Sequence, residues 1–121
     1  MIRLFNCLRR RSELSAAEFR RYWEDPAFDA LLARVAEETS ADRYVRSLTL
    51  RIDLNAWLMN DRGMGNPFDG VVELCWPEPG QLAQLRESIA VQSVVDELRD
   101  YQDQFIDRAQ SYAFFTESDD A

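Results

Sequence analysis

The sequence predicts an α+β fold in which strands and helices alternate as β-α-β-β-α-β, with one antiparallel four-stranded sheet and its helices on one side. Three observations lead there. Short runs rich in Leu, Val, Ile and aromatic residues fall at 2–8, 44–54, 68–76 and 111–117, and charged, Gly or Pro residues bound them. After the first run and again before the last, apolar residues switch to spacings of three and four, which is the period of an amphipathic helix. A chain of 121 residues holds one modest core, so these pieces belong to a single domain.

Taken in order, Ile2 to Leu8 (IRLFNCL) is an apolar run closed by Arg9-Arg10-Arg11 and reads as the first strand. Ser12 and Glu13 turn the chain. Ser15-Ala16-Ala17-Glu18 is a capping box, in which the Ser hydroxyl accepts from the Glu18 N–H while the Glu carboxylate reaches back to the Ser15 N–H. Leu14 and Phe19 hold the staple positions on either side. Phe19, Tyr22 and Trp23 then share one helical face. Pro26 interrupts the helix, because its ring removes one hydrogen bond and collides with the preceding turn. Asp25 can cap a second segment with Pro26 at its first position. Phe28, Leu31, Leu32 and Val35 resume helical spacing, and the step from Trp23 to Phe28 turns about 140°, so a kinked or broken helix is expected.

Tyr44 to Leu54 reads as a long second strand. The stretch 55–67 (NAWLMNDRGMGNP), with Gly63, Gly65 and Pro67, is expected to be an irregular loop. Phe68 to Trp76 is the third strand, stopped by Pro77-Glu78-Pro79-Gly80. Leu82, Leu85 and Ile89 mark a short helix; Val91, Val94, Val95, Leu98 and Phe105 mark another, or its continuation. Ser111 to Glu117 is the fourth strand, which leaves 1–117 as the domain and 118–121 as a disordered tail. This order is the ferredoxin-like arrangement. The third strand sets Val71, Glu73 and Cys75 against Val72, Leu74 and Trp76, and the fourth sets Tyr112, Phe114 and Thr116 against Ala113 and Phe115. Apolar groups thus stand on both faces of a sheet whose helices cover one. A second copy would cover the other, and a homodimer is expected.

Composition narrows the function. The net charge is −8 and every basic residue is Arg, a balance that disfavours nucleic acid and anionic membranes. The strand order also underlies an RNA-binding module, but that module's basic, aromatic signature segment is missing. With no His in the chain, the one side chain that titrates unaided near neutrality is absent, as is the commonest metal ligand. Cys7 and Cys75 are far apart and sit in apolar runs, so they read as buried thiols. No leader peptide and no run of ~20 apolar residues is evident, which points to the cytoplasm. Gly63-x-Gly65 lacks the Lys and fingerprint of a phosphate loop.

The segments LFNCLRRRSELSAAEFRRYW, FDGVVELCW and DQFIDRAQSYAFFTES together resemble the EthD family, named for ethyl tert-butyl ether degradation, within the dimeric α+β-barrel superfamily. The resemblance runs over residues 2–117. It implies two sheets packed face to face in a dimer, with a small-molecule cavity between sheet and helices in each subunit. Relatives are linked to ether degradation or to tailoring of aromatic polyketides without an organic cofactor. Such proteins commonly carry a His four residues after the helix Trp; here that place is Ala27. The acidic pair often found before Phe-Ile-Asp is replaced by Tyr101 and Gln102.

Several residues are candidates for chemistry. Tyr22 and Trp23 offer flat apolar area with a polar tip, and read either as cavity wall or as core. Trp57, Met59 and Met64 are bulky for a loop and could form a lid, or could pack over an exposed edge or against a dimer partner. Glu73 is a carboxylate among apolar neighbours, a setting that favours its protonated form, so it leads as an acid–base group with Asp69 beside it; the alternative is an ion pair with Arg46 or Arg51. Asp100, Asp103 and Asp107 read as a solvated acidic face rather than a cation site. Arg9, Arg10 and Arg11 either decorate the surface or hold an anion.

Two functions follow from the family pattern. One is a cofactor-independent enzyme acting on an apolar aromatic or ether-type metabolite between the helices and the sheet, bound by Tyr22, Trp23, Trp57 and Met59, with Glu73 or Asp69 moving protons. The other is a non-catalytic dimeric ligand-binding or accessory protein that has lost the family His. Neither calls for a cofactor or a metal.

Overall fold

The four expected strands pair into one antiparallel sheet in a computed structural model that describes residues 1–119. They are β1 (Ile2–Leu8), β2 (Arg43–Leu48), β3 (Gly70–Trp76) and β4 (Tyr112–Glu117), in the spatial order β2-β3-β1-β4. Register assigns the faces. One row across the sheet is Tyr44–Leu74–Leu4–Phe115, and the next is Val45–Glu73–Phe5–Phe114. Because side chains alternate along a strand, the first row faces the helices and the second faces away.

The broken helix is present as α1 (Ala16–Glu24) and α2 (Pro26–Glu38). Both halves of the capping box form, the Glu18 N–H to Ser15 Oγ at 3.1 Å and the Ser15 N–H to Glu18 Oε1 at 3.0 Å. Asp25 caps α2 through the Ala27 N–H at 2.9 Å. Trp23 at the end of α1 packs against Gly70, where an added Cβ would stand 2.6 Å from the indole ring. Phe19, Trp23, Phe28 and Phe105 are buried together, with centroid spacings from 5.3 to 5.6 Å where they touch. Helix α4 (Ile89–Gln102), capped by Ser88, closes the layer over the sheet.

Three expectations need correction. The second strand ends at Leu48, where its ladder ends at Gly70, rather than at Leu54. Residues 55–67 are not an irregular loop throughout: α3 (Asp53–Asp61) occupies much of the segment. Leu54, Ala56, Leu58 and Met59 are good helix formers, and the acidic Asp53 suits a first turn. Gly63, at φ 65°, ends α3, its N–H bonding Asn60 C=O while the Met64 N–H bonds Met59 C=O; this paired closure needs a left-handed residue, and Gly adopts it without Cβ strain. Last, the short helix expected around 82–89 is two single 3₁₀ turns, Pro79–Leu82 and Leu85–Glu87, and Ile89 is exposed rather than core.

On the outer face of the sheet Phe5 stacks on Phe114 at 6.0 Å, and Arg3 pairs with Glu73 at 3.3 Å. Val45, Tyr112 and Phe114 are exposed there. Both cysteines are unpaired thiols. Of the expected tail at 118–121, Ser118 donates its N–H to Met1 C=O at 2.8 Å, and 120–121 lie outside the described residues.

Candidate functional site

A cavity of about 380 Å³ opens between the helix-facing side of the sheet and helices α2 and α4. Strand alternation supplies its floor, with Leu4 and Leu8 from β1 beside Val72 and Leu74 from β3. Leu32 and Val35 on α2, and Val95 and Leu98 on α4, form the apolar roof. The strand β4 contributes Ala113, which pairs with Asn6. A methyl group there fills less space than the large residues of the neighbouring rows, and that difference helps leave the void.

Two side-chain amides interrupt this apolar lining, beside the Ser111 hydroxyl, which accepts the Arg9 N–H and donates to Asp107 C=O. Asn6 points from the middle of β1, and Gln102 ends α4. Both are half-buried, and neither side-chain amide has a hydrogen-bond partner among the described residues. An amide in such a position is normally satisfied by water or by a ligand, since it offers two donors and one acceptor. At the rim stand Arg99 and Arg108. The Arg108 guanidinium is forked on Asp103, with Nε 2.6 Å from Oδ1 and Nη2 3.2 Å from Oδ2. Arg99 makes only a 3.4 Å contact with Asp96. Among the described residues of the wall there is no Asp, Glu or His.

The residues singled out from sequence lie elsewhere. Trp23 and Tyr22 pack in the aromatic core and do not line this cavity: Tyr22 stacks on Phe105 at 5.2 Å with rings 4° from parallel, and Trp23 borders a separate open depression with Arg20, Tyr44 and Arg46. Tyr101 donates its hydroxyl to Tyr22 C=O at 2.8 Å, and burial followed by the charge of Asp25 pushes this phenol up to about 12. Trp57 is 60% exposed on α3. Met59 and Met64 line a separate surface depression with Arg51 and Pro67, away from the cavity under α2 and α4.

Neither carboxylate of the sequence reading reaches the cavity. Glu73 is on the outer face, separated from the cavity by the sheet, and its partner is Arg3 rather than Arg46 or Arg51. Asp69 is only 6% exposed. It accepts the Arg10 N–H at 2.8 Å and is gripped by the guanidinium groups of Arg10, at 3.3 Å, and Arg51. Its own N–H bonds Leu8 C=O at 2.8 Å. Asp69 therefore ties the end of β1, the start of β3 and the segment after β2 into one knot, a structural role for a buried charge that has found its counter-ions.

The Arg triplet also serves the fold. Arg9 bonds Asn66 C=O at 3.0 Å and lies 4.3 Å over the Phe68 ring, and Arg11 bonds Asp103 C=O at 2.9 Å. No group of three or more Cys, Asp or Glu among the described residues is placed to hold a metal ion. No helix among them is long and apolar enough to cross a membrane.

Asn6 was legible in principle, as a polar residue at an inward position of an otherwise apolar strand. Gln102 stands where the family pattern often has an acid, so its departure from that pattern was itself the signal. Arg99 and Arg108 carried none, because nothing in the sequence sets them apart from the chain's other twelve arginines.

The EthD domain profile matches residues 11–109. Among curated proteins none matches the chain. A solved structure from Bacteroides fragilis NCTC 9343, described as a dimeric protein of unknown function and ferredoxin-like fold, superposes with a TM-score of 0.60 at 6% identity, covering 97% of this chain and 95% of that one. The chain belongs to the EthD family.

Proposed function

We propose that this EthD-family chain works as a cytoplasmic homodimer that binds one small, mainly apolar molecule per subunit in the cavity between the sheet and helices α2 and α4. The observation that carries the reading is the pair of unpartnered amides, Asn6 and Gln102, set in an apolar wall. An apolar pocket with a few convergent polar groups is what recognition of a small molecule requires, and the volume falls in the usual range of roughly 300–1,000 Å³. The dimer is supported by the apolar outer face, with Phe5, Val45 and Phe114, and by the dimeric state of the Bacteroides fragilis protein.

The arrangement favours binding over proton transfer. A general base must lie within hydrogen-bond reach of the proton it takes, and the wall presents neither a carboxylate nor an imidazole. If turnover occurs, its chemical resource is the amide pair, whose N–H groups could polarise a ligand carbonyl as oxyanion donors do. Conversion of a bound ketone during long incubation with purified protein would separate that variant from simple binding.

Binding is tested with 2-acetonaphthone, which joins a flat apolar ring to one carbonyl acceptor. Saturable binding is expected. Asn6→Leu and Gln102→Leu should each weaken it roughly tenfold, the loss of one neutral hydrogen bond, without lowering the melting temperature. Leu98→Trp, which fills the cavity, should abolish it. Binding that survives Leu98→Trp, or no saturable binding to the native protein, would sink the reading.

A further inference from the structure

We propose that the cavity selects amphipathic anions, and specifically carboxylates carried on an apolar body. This deepens the binding reading above and rests on it. The chain has 22 acidic and 14 basic residues, yet the charged residues of this wall are two arginines and no carboxylate. A wall that excludes the chain's most abundant charge and keeps the scarcer one is complementary to an anion.

The geometry at the rim suits a carboxylate. A guanidinium has five N–H donors in a planar fork. Arg108 engages Asp103 through Nε and Nη2 only, which leaves its other terminal nitrogen uncommitted. Arg99 holds Asp96 through one long contact. Both side chains are about half exposed, at 48% and 52%, so each can turn toward a ligand head at little packing cost. Gln102 lies in the same wall and adds N–H donors. Arg–carboxylate pairs are planar and often two-pronged, which gives them directional selectivity that a Lys would not supply. The apolar floor of Leu4, Leu8, Val72 and Leu74 takes the hydrocarbon part. The overall negative charge opposes long-range attraction of anions, but at 0.1 M salt that field fades over about 10 Å. Selection is therefore local to the rim.

The test compares 2-naphthoate with 2-naphthamide, two ligands of one shape that differ in charge, by calorimetry on the full chain. The native protein should bind the naphthoate about tenfold more tightly, since a charge-assisted bond is about twice as strong as a neutral one. Arg108→Gln should reduce the preference, and Arg99→Gln combined with Arg108→Gln should erase it while leaving naphthamide affinity in place. Asp103→Asn should sharpen the preference by releasing Arg108 from its internal carboxylate, a gain that a misfolded variant cannot imitate. Equal affinity for the two ligands in the native protein, or weaker naphthoate binding in Asp103→Asn, would overturn the anion inference while leaving the cavity reading intact. If neither ligand binds saturably, the cavity reading and this inference fall together.

Discussion

Phe114 offers a direct measure of the outer sheet face. It is 49% exposed in the single chain although its ring stacks on Phe5 at 6.0 Å. A Phe presents ~200 Å², so about 100 Å² remains in water, and covering it contributes ~2.5 kcal/mol per copy, or ~5 kcal/mol for a two-fold pair. Alanine would retain part of that surface and the fit is never complete, so about half, ~2.5 kcal/mol, is the expected cost of Phe114→Ala to the dimer, close to 10²-fold in Kd. Sedimentation across micromolar concentrations reads this directly. The native chain should sediment as a dimer, and Phe114→Ala should shift the midpoint of dissociation by about two decades. Ile89→Ala removes a residue that is 84% exposed at the start of α4, outside the sheet face, and should leave that midpoint unchanged. A native chain that sediments as a well-folded monomer at micromolar concentration, or an unaltered Kd in Phe114→Ala, would refute the covered-face argument.

Two further predictions concern the core. Gly70→Ala places a methyl 2.6 Å from two ring atoms of Trp23, and such overpacking should cost about 1–3 kcal/mol in urea unfolding. Adding Trp23→Phe should recover part of that loss; strict additivity of the two changes, within about 0.5 kcal/mol, would show that the indole and Gly70 are not coupled. Tyr101 should hold its proton beyond the ordinary phenol range, since burial and then Asp25 push it from 10 to about 12. Its protonated form is the one favoured by folding. The associated stability is therefore complete below pH 10 and lost as pH rises from 10 to 12. The native chain should lose stability relative to Tyr101→Phe across that window, and a flat or growing difference would contradict the assignment.

How much could be read from the sequence depended on where the deciding physics was local. The helix start at Ser15 was legible because a capping box is closed within four residues, and the break at Asp25-Pro26 because proline geometry needs no partner. The order of strands and helices along the chain followed from residue spacing alone. The segment after Leu48 was misread because a run of Leu, Ile and Thr suits a strand only if a neighbouring strand continues beside it. The β3 ladder ends at Gly70, and past that point helix propensity and the Gly63 closure decide the conformation. Trp23 and Tyr22 were readable as buried, but not as buried in core rather than in a cavity, since both outcomes require the same amphipathic stripe. Glu73 shows the sharper limit. Alternation put it correctly on the face of Val71 and Cys75, yet only the arrangement of helices reveals that this face is turned away from the cavity, and its counter-ion Arg3 is 70 positions distant.

The sheet thus separates two tasks by parity along a single strand. In β1, Phe5 faces outward onto Phe114 and its successor Asn6 faces inward into the cavity. Neighbouring residues share a peptide plane with stiff dihedral limits, so whatever fixes the position of Phe5 fixes the strand that carries Asn6. A second subunit packed on the outer face would hold β1 in place from behind and confine the Asn6 amide to one orientation over the cavity floor. Ligand held by Asn6 would in turn favour the same strand position. On the proposed function, binding and assembly would be linked, and the linkage would be reciprocal: a ligand that prefers the paired form must tighten the pair by the factor by which pairing tightens the ligand. Such a coupling would run through the backbone of β1 and would need no acid–base group.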